Sequence, residues 1–397
     1  MKKTRVILVL MLFLLLLTNC SPRKASENRI ELQTPTKHAE DALIIDPALE
    51  YENTMEFLDR KAEEVDQERK LYWKDLKTSS LAGYQESIQT YRKDFTSMIG
   101  IPKECLTRLA PRLVSDQYVK TVNDVEIRYW TIAVCDSQLM QFALVGIPKT
   151  IKEKLPLIIA IHGTCGSPEL VMGLAGDDYH HSFGLRLAEE GYFVFAPLIT
   201  TLSTHTNICQ QPTNAERNQL DHRALPLGDR LLGIEVGKMM GSIDYLSGNE
   251  KINNEEIGVY GISLGGQLAF FIGAADERVE VTVVSQYIED RKEKLIDRDY
   301  ESALWQYEYT DYNFLPQSLK YFTDIEIAYP IVLRKLFIEV GRNDIRSSGT
   351  ERSLPEFVEA YTRLELPANF LDSEIADGTH EYFCEISEIF GSIAQRG

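Results

Sequence analysis

The residue around which any chemistry of this chain has to be read is Ser263, at the centre of Gly261-Ile262-Ser263-Leu264-Gly265. A hydroxyl is a weak nucleophile. It becomes reactive when a base lies within hydrogen-bond reach and a third group fixes the tautomer of that base. Glycines two residues to either side let the backbone turn sharply from a strand into a helix, where a Cβ would strike the adjoining element. Seven histidines offer a base. His38 lies in a polar stretch, His162 closes an apolar run before a glycine turn, and His180, His181, His205 and His222 fall in helix starts or polar loops. His380, in Asp377-Gly378-Thr379-His380-Glu381, follows the last strand candidate, and a loop there can swing over a sheet edge; His205 is the reserve. The acid should follow a strand end between serine and histidine. Asp344 does so, just past the glycine that closes Phe337-Ile338-Glu339-Val340-Gly341. Glu339 is the fallback but lies inside the strand, and Asp377 is too close in sequence to His380.

Attack on a carbonyl creates an oxyanion, which needs donors fixed before the reaction begins. One is the amide of Leu264, directly after the serine. The other belongs to the turn His162-Gly163-Thr164-Cys165-Gly166, with Thr164 first and Cys165 next.

The elements that must position these groups alternate in type. Val125, Ile127, Tyr129 and Thr131 fall on one face of a strand, and Leu139 to Ile147 forms a second. Fully apolar runs at Leu157–Ile161, Tyr192–Ala196, Ile257–Tyr260, Val279–Val284 and Ile331–Val340 predict buried strands, with Phe370-Leu371 a last one. Helical spacing separates them at Phe183–Ala188, Leu231–Leu246, Leu268–Ile272, Leu354–Leu364 and Phe383–Ile393. Strands alternating with amphipathic helices predict a mostly parallel sheet covered on both faces. Two connections are long. Residues 198–228 are polar, and residues 286–330 are dense in aromatics, predicting either a lid or pocket wall, or extra core packing.

Upstream, residues 47–100 carry apolar residues at three- and four-residue steps: Tyr51, Met55 and Leu58, then Leu71, Trp73 and Leu76, then Tyr84, Ile88, Tyr91 and Phe95. This predicts a helical segment packed on a main domain over residues 101–397, with partner contact as the minor alternative. Residues 21–46 are polar and lack an apolar period, as a flexible tether would. Residues 1–20 pair Lys2, Lys3 and Arg5 with an apolar run to Leu17, too short to span a bilayer but suited to an export signal. The closing Leu17-Thr18-Asn19-Cys20 resembles a bacterial lipobox. That resemblance implies a lipidated Cys20 and an exported, membrane-anchored lipoprotein, with the anchor its sole membrane contact.

A net charge of −18 in 397 residues excludes nucleic acid as a partner, because no basic stripe exists to displace its counterions. Of six cysteines, Cys105, Cys135, Cys165, Cys209 and Cys384 follow the signal; they lack zinc-type spacing and are expected mostly as buried small residues.

His162-Gly163, Gly261-x-Ser263-x-Gly265, Asp344 and His380 stand in the order and spacing of the α/β-hydrolase superfamily, and the chain from about residue 125 onwards resembles it. The stretch Leu185 to Pro197 is similar to the dienelactone-hydrolase-like and acetyl-xylan-esterase-like branches, here with serine in place of the dienelactone hydrolases' cysteine. The resemblance implies a three-layer αβα sandwich on a mostly parallel eight-stranded sheet, preceded by the helical segment. It also implies a serine carboxylic-ester hydrolase with Ser263 as nucleophile, His380 as base and Asp344 as orienting acid, without metal or cofactor. Its substrate would be a small-molecule or carbohydrate ester. A peptidase of the same fold and a degenerate hydrolase serving as a binding lipoprotein are the alternatives; the oligomeric state is left open.

Overall fold

Five strands in this chain are apolar almost throughout, and a strand that is apolar on both faces has to be covered on both. A computed structural model describes residues 46–107, 110–149, 154–200, 213–297, 311–364 and 370–383. The export signal, Cys20, nearly all of the tether, His205 and nearly all of the closing helix expected at Phe383–Ile393 lie outside those residues. Within them the strands are β1 (Arg112–Val122), β2 (Val125–Val134), β3 (Leu139–Pro148), β4 (Leu155–Ile161), β5 (Phe193–Pro197), β6 (Ile252–Ile262), β7 (Val281–Ser285), β8 (Lys335–Gly341) and β9 (Leu371–Ala376). They form one sheet in the order β1-β2-β3-β5-β4-β6-β7-β8-β9.

The sheet is mixed. β1 to β2, β2 to β3 and β3 to β5 pair antiparallel, and every pair from β5 through β4, β6, β7 and β8 to β9 is parallel. Nine strands stand where eight were expected. The addition is β1, an edge strand whose residues are mostly exposed, so no run of buried positions marks it. It pairs with β2 through the Asn123-Asp124 turn, where both residues have positive φ.

Side chains alternate across the central strands. Leu157, Ile159 and Ile161 of β4 enter one core, and Ile158 and Ala160 enter the other. The first core is closed by α2 (Leu81–Met98), α5 (Leu231–Leu246) and α6 (Leu264–Ala275); α3 (Phe183–Glu189) closes the second, and α4 (Thr213–Ala224) lies between α3 and α5 in the chain. These are the three layers that the alternation predicts.

The chain divides into two compact units, residues 1–57 and 58–397. Helix α1 (Pro47–Tyr72) begins in the first and continues into the second. Within the second unit, α2 contributes to the main core. Tyr84, Ile88, Tyr91 and Phe95 of α2 are buried, whereas Leu58 and Leu71 of α1 are exposed. Phe95 is fully buried edge-on against Phe271 of α6, with centroids 5.4 Å apart. Truncating such a phenylalanine to alanine costs about 3–5 kcal/mol.

The described aromatics of the long connection before β8 serve this same packing: Phe322 sits edge-on to Trp73 and Tyr321 lies against Tyr72. Residues 298–310 of that connection lie outside the described residues. Cys105 and Cys135 are buried as expected, and their pairing, which the sequence left open, is visible. Cys105 and Cys135 form a disulfide that ties the start of the main domain to the β2–β3 turn, and Cys165 is disulfide-bonded as well.

Candidate active site

Because β4, β6, β7, β8 and β9 run parallel, their C-terminal ends open on one edge of the sheet, the side on which open α/β sheets take ligands. In chain order those ends carry His162-Gly163, Ser263, Gln286, Asp344 and His380.

Ser263 caps α6 with φ 60° and ψ −119°, a left-handed conformation that a serine adopts only at a cost of about 1–3 kcal/mol. The surrounding backbone enforces it. A Cβ on Gly261 would lie 2.0 Å from the Gly265 carbonyl oxygen, and one on Gly265 would lie 2.3 Å from that of Ile161. The Ser263 amide is held by the Ser285 carbonyl at 2.9 Å. Beneath the serine, the first amides of α6, Leu264 among them, lack intrahelical acceptors.

Asp344 and His380 come together past the ends of β8 and β9. The ring nitrogen Nδ1 of His380 donates to Asp344 Oδ2, while Asp344 Oδ1 accepts from the Arg346 amide at 2.8 Å and from Arg346 Nη1 at 2.9 Å. Burial alone would raise the Asp344 carboxyl, but the His380 hydrogen bond and the Arg346 charge bring it down to about 2. The aspartate is therefore ionised at neutral pH, as a group that orients an imidazole must be. Among the described residues no hydrogen bond joins Ser263 to His380; the structure brings the acid and the histidine together and leaves the serine as a neighbour at the same edge.

Two loops carry the acid and the histidine, and they are zipped to each other. Asn343 N–H donates to the Gly378 carbonyl at 2.9 Å, and a Cβ on Gly341 would lie 1.9 Å from the Thr379 oxygen. Gln286, fully buried with φ 56°, braces both: its Nε2 donates to the Glu381 carbonyl at 2.8 Å and its Oε1 accepts from Gly341 N–H at 3.1 Å. Nothing in the sequence near Gln286 signals this role.

The turn after β4 is set by two histidines. The Ile199 amide donates to His162 Nε2 at 3.1 Å, so His162 Nδ1 carries the proton and gives it to the Gly163 carbonyl at 2.7 Å. Burial pushes the His162 ring down to about 3, against the Gly163 bond, which would raise it. The Gly163 amide donates to His180 Nε2 at 3.0 Å, and His180 Nδ1 in turn meets Asp178 Oδ2 at 2.8 Å. Both rings act as struts, and that of His162 is neutral. With the Gly163 amide taken by His180 and the Cys165 amide set against the Tyr179 phenol, the Thr164 amide is the one in this turn left without an acceptor among the described residues.

The alternatives weighed from sequence fall away from this cluster. Glu339 is buried in β8, where Tyr260 donates to it at 2.6 Å. Asp377 is exposed and pairs with Arg342, and His222 is exposed beside Asp311. Among the described residues no group of three or more His, Cys, Asp or Glu side chains could hold a metal ion.

Residues 142–300 match the family model of the dienelactone hydrolases, a span that contains the His162 turn and Ser263 but ends before Asp344 and His380. No curated protein matches the chain in sequence. Among solved structures, a protein assigned as an acetyl xylan esterase from Bacteroides fragilis shares 18% identity at a TM-score of 0.60, covering 75% of this chain and 76% of its own. A methylesterase shares 15% identity at 0.54 over 84% of this chain and 69% of its own. A glucuronoyl esterase from Solibacter usitatus shares 13% at 0.54, covering 77% and 92%. These likenesses establish a common fold.

Proposed function

For a chain that has the α/β-hydrolase fold and a dienelactone-hydrolase segment, we propose the activity of a serine carboxylic-ester hydrolase acting on acylated carbohydrate. The observation that carries the proposal is the pairing, at one sheet edge, of a serine in a sharp strand-to-helix turn with a buried Asp344 hydrogen-bonded to His380. In this reading His380 Nε2 takes the Ser263 proton as Oγ attacks the acyl carbon. The amides of Leu264 and Thr164 receive the oxyanion, and the alcohol leaves with the proton from His380. Water, deprotonated by the same ring, then releases the acid. Asp344 keeps Nδ1 as the protonated nitrogen throughout, which leaves Nε2 free to act as base. Rotation of His380 or Ser263 has to close the gap between them when substrate binds, as catalytic hydrogen bonds in empty sites often require.

The carbohydrate part of the proposal is supported by the esterases among the structural neighbours, and an acyl group on a sugar suits an open sheet edge. Turnover of p-nitrophenyl acetate and acetylated xylan beside aminoacyl anilides tests it. Ester turnover abolished by Ser263→Ala is expected; anilide turnover exceeding ester turnover would reassign the chain to the peptidases. The reading also includes export and lipidation at Cys20, for which fatty-acid labelling lost in Cys20→Ala is the expected result and label retained by that variant the contrary one.

A further inference from the structure

Tyr179 lies in the loop between β4 and α3 and is partly buried, with its ring 4.0 Å from that of His180 and 5.8 Å from that of His380. Its carbonyl accepts from the Tyr382 amide at 2.9 Å, so the loop carrying the tyrosine and the loop carrying His380 are joined. Its hydroxyl is the notable part. The point at which a Cβ on Gly163 would sit is 2.5 Å from Tyr179 Oη and 3.2 Å from Ser263 Cβ, which sets the phenol and the serine beside the same point of one glycine. The Cys165 backbone N–H is turned to the phenol oxygen, and among the described residues no acceptor takes the phenol proton.

Building on the proposed ester hydrolysis, we infer that Tyr179 is a further catalytic residue whose O–H donates a hydrogen bond to the substrate oxyanion beside the amides of Thr164 and Leu264. When Ser263 Oγ bonds to the acyl carbon, its proton passes to His380 Nε2 and the carbonyl π pair moves onto oxygen. Tyr179 stabilises that charge without giving up its proton. The arrangement suits the task in two respects. The Cys165 amide occupies the accepting side of the phenol, turning its donor outward and polarising it. Burial raises the phenol well above its ordinary value, a shift the Cys165 amide opposes, so the donor stays protonated across the working range. Gly163 N–H is already committed to His180, which leaves room for a side-chain donor in its place.

A purely structural Tyr179 would do no more than brace Cys165, and the two roles respond oppositely to phenol acidity. A brace accepts a hydrogen bond and weakens as the phenol becomes more acidic; an oxyanion donor strengthens. The test is ester hydrolysis by Tyr179→Phe and by protein carrying mono-, di- and trifluorotyrosine at position 179, at a pH where each phenol is protonated. Fluorophosphonate labelling of Ser263 is followed in every sample. For Tyr179→Phe the inference predicts kcat lower by about 100-fold with KM within about twofold. Across the fluorotyrosines, which keep the shape of the ring, kcat rises with phenol acidity. Unchanged kcat in Tyr179→Phe, or a fluorotyrosine series that is flat or falling in an active protein, overturns the inference and leaves the hydrolase reading standing. A wild-type protein that neither labels at Ser263 nor hydrolyses esters removes both.

Discussion

The serine and the histidine reach the same sheet edge by different means. Ser263 is held by regular structure: β6 on one side, α6 on the other, and a turn so tight that a Cβ on Gly261 would meet the Gly265 carbonyl at 2.0 Å. His380 is held by two loops, tied to each other through Asn343, Gly341 and Thr379 and to β7 through the single side chain of Gln286. One corner is rigid by backbone geometry and the other by a few hydrogen bonds. That difference separates folding from catalysis in the expected effects of mutation, and it leaves the freedom to move, which the missing Ser263–His380 hydrogen bond requires, with the histidine.

Breaking the rigid corner should have the largest effect. Gly261→Ala forces β6 and α6 apart and is expected to cost about 4 kcal/mol or more of stability, together with all ester turnover; a thermal melt within a few degrees of wild type would show that the corner is softer than its geometry. Next is the acid. Asp344→Asn keeps the loop's shape but offers His380 Nδ1 no full negative charge, and kcat should fall by about 10⁴-fold while the melting temperature moves little. Gln286→Leu attacks the brace instead. It leaves the Glu381 carbonyl and the Gly341 amide without their partner, so His380 shifts and kcat drops by about 10–100-fold. Under the comparison drawn above, Gln286→Leu should still fold and still react at Ser263, only more slowly; loss of folding would place it with the rigid corner.

The last effect appears only on acidification and concerns the neutral strut under the turn after β4. His162 is held near 3 when folded and near 6.5 when unfolded, so on acidification the unfolded chain takes up its proton first. Stability from this group is whole above about pH 6.5 and is lost as pH falls towards 3, with a slope of about 1.4 kcal/mol per pH unit. Denaturant melts between pH 4 and 7 should show a shallower slope in His162→Gln than in wild type; equal slopes would mean that the ring is not buried neutral.

What could be read from sequence follows the same division. The serine turn is written within a few residues, since glycine spacing, the β-branched run before it and the apolar helix after it are all local. The buried strands announce themselves by composition for the same reason. Asp344 and His380 were reachable because each follows a strand, even though the dienelactone hydrolase match stops before both. The elements that were not legible depend on contacts far apart in the chain. Gln286 acts on a carbonyl 95 residues away. His180, passed over as a loop histidine, and Tyr179, in a stretch without apolar period, acquire meaning only once the chain brings them beside Gly163. The β1 strand is exposed along most of its length, so no period betrayed it, and cysteine spacing carried no sign that Cys105 would reach Cys135.

The claim on which the account rests is that Ser263 is activated by the His380–Asp344 pair. Labelling with a fluorophosphonate, read by mass spectrometry of the peptide containing residue 263, tests it most directly. The account predicts one label per chain on Ser263 in the wild type, none in Ser263→Ala, and labelling slowed by several orders of magnitude in His380→Ala. A wild type that stays unlabelled, or a His380→Ala protein that labels as fast as wild type, would contradict it.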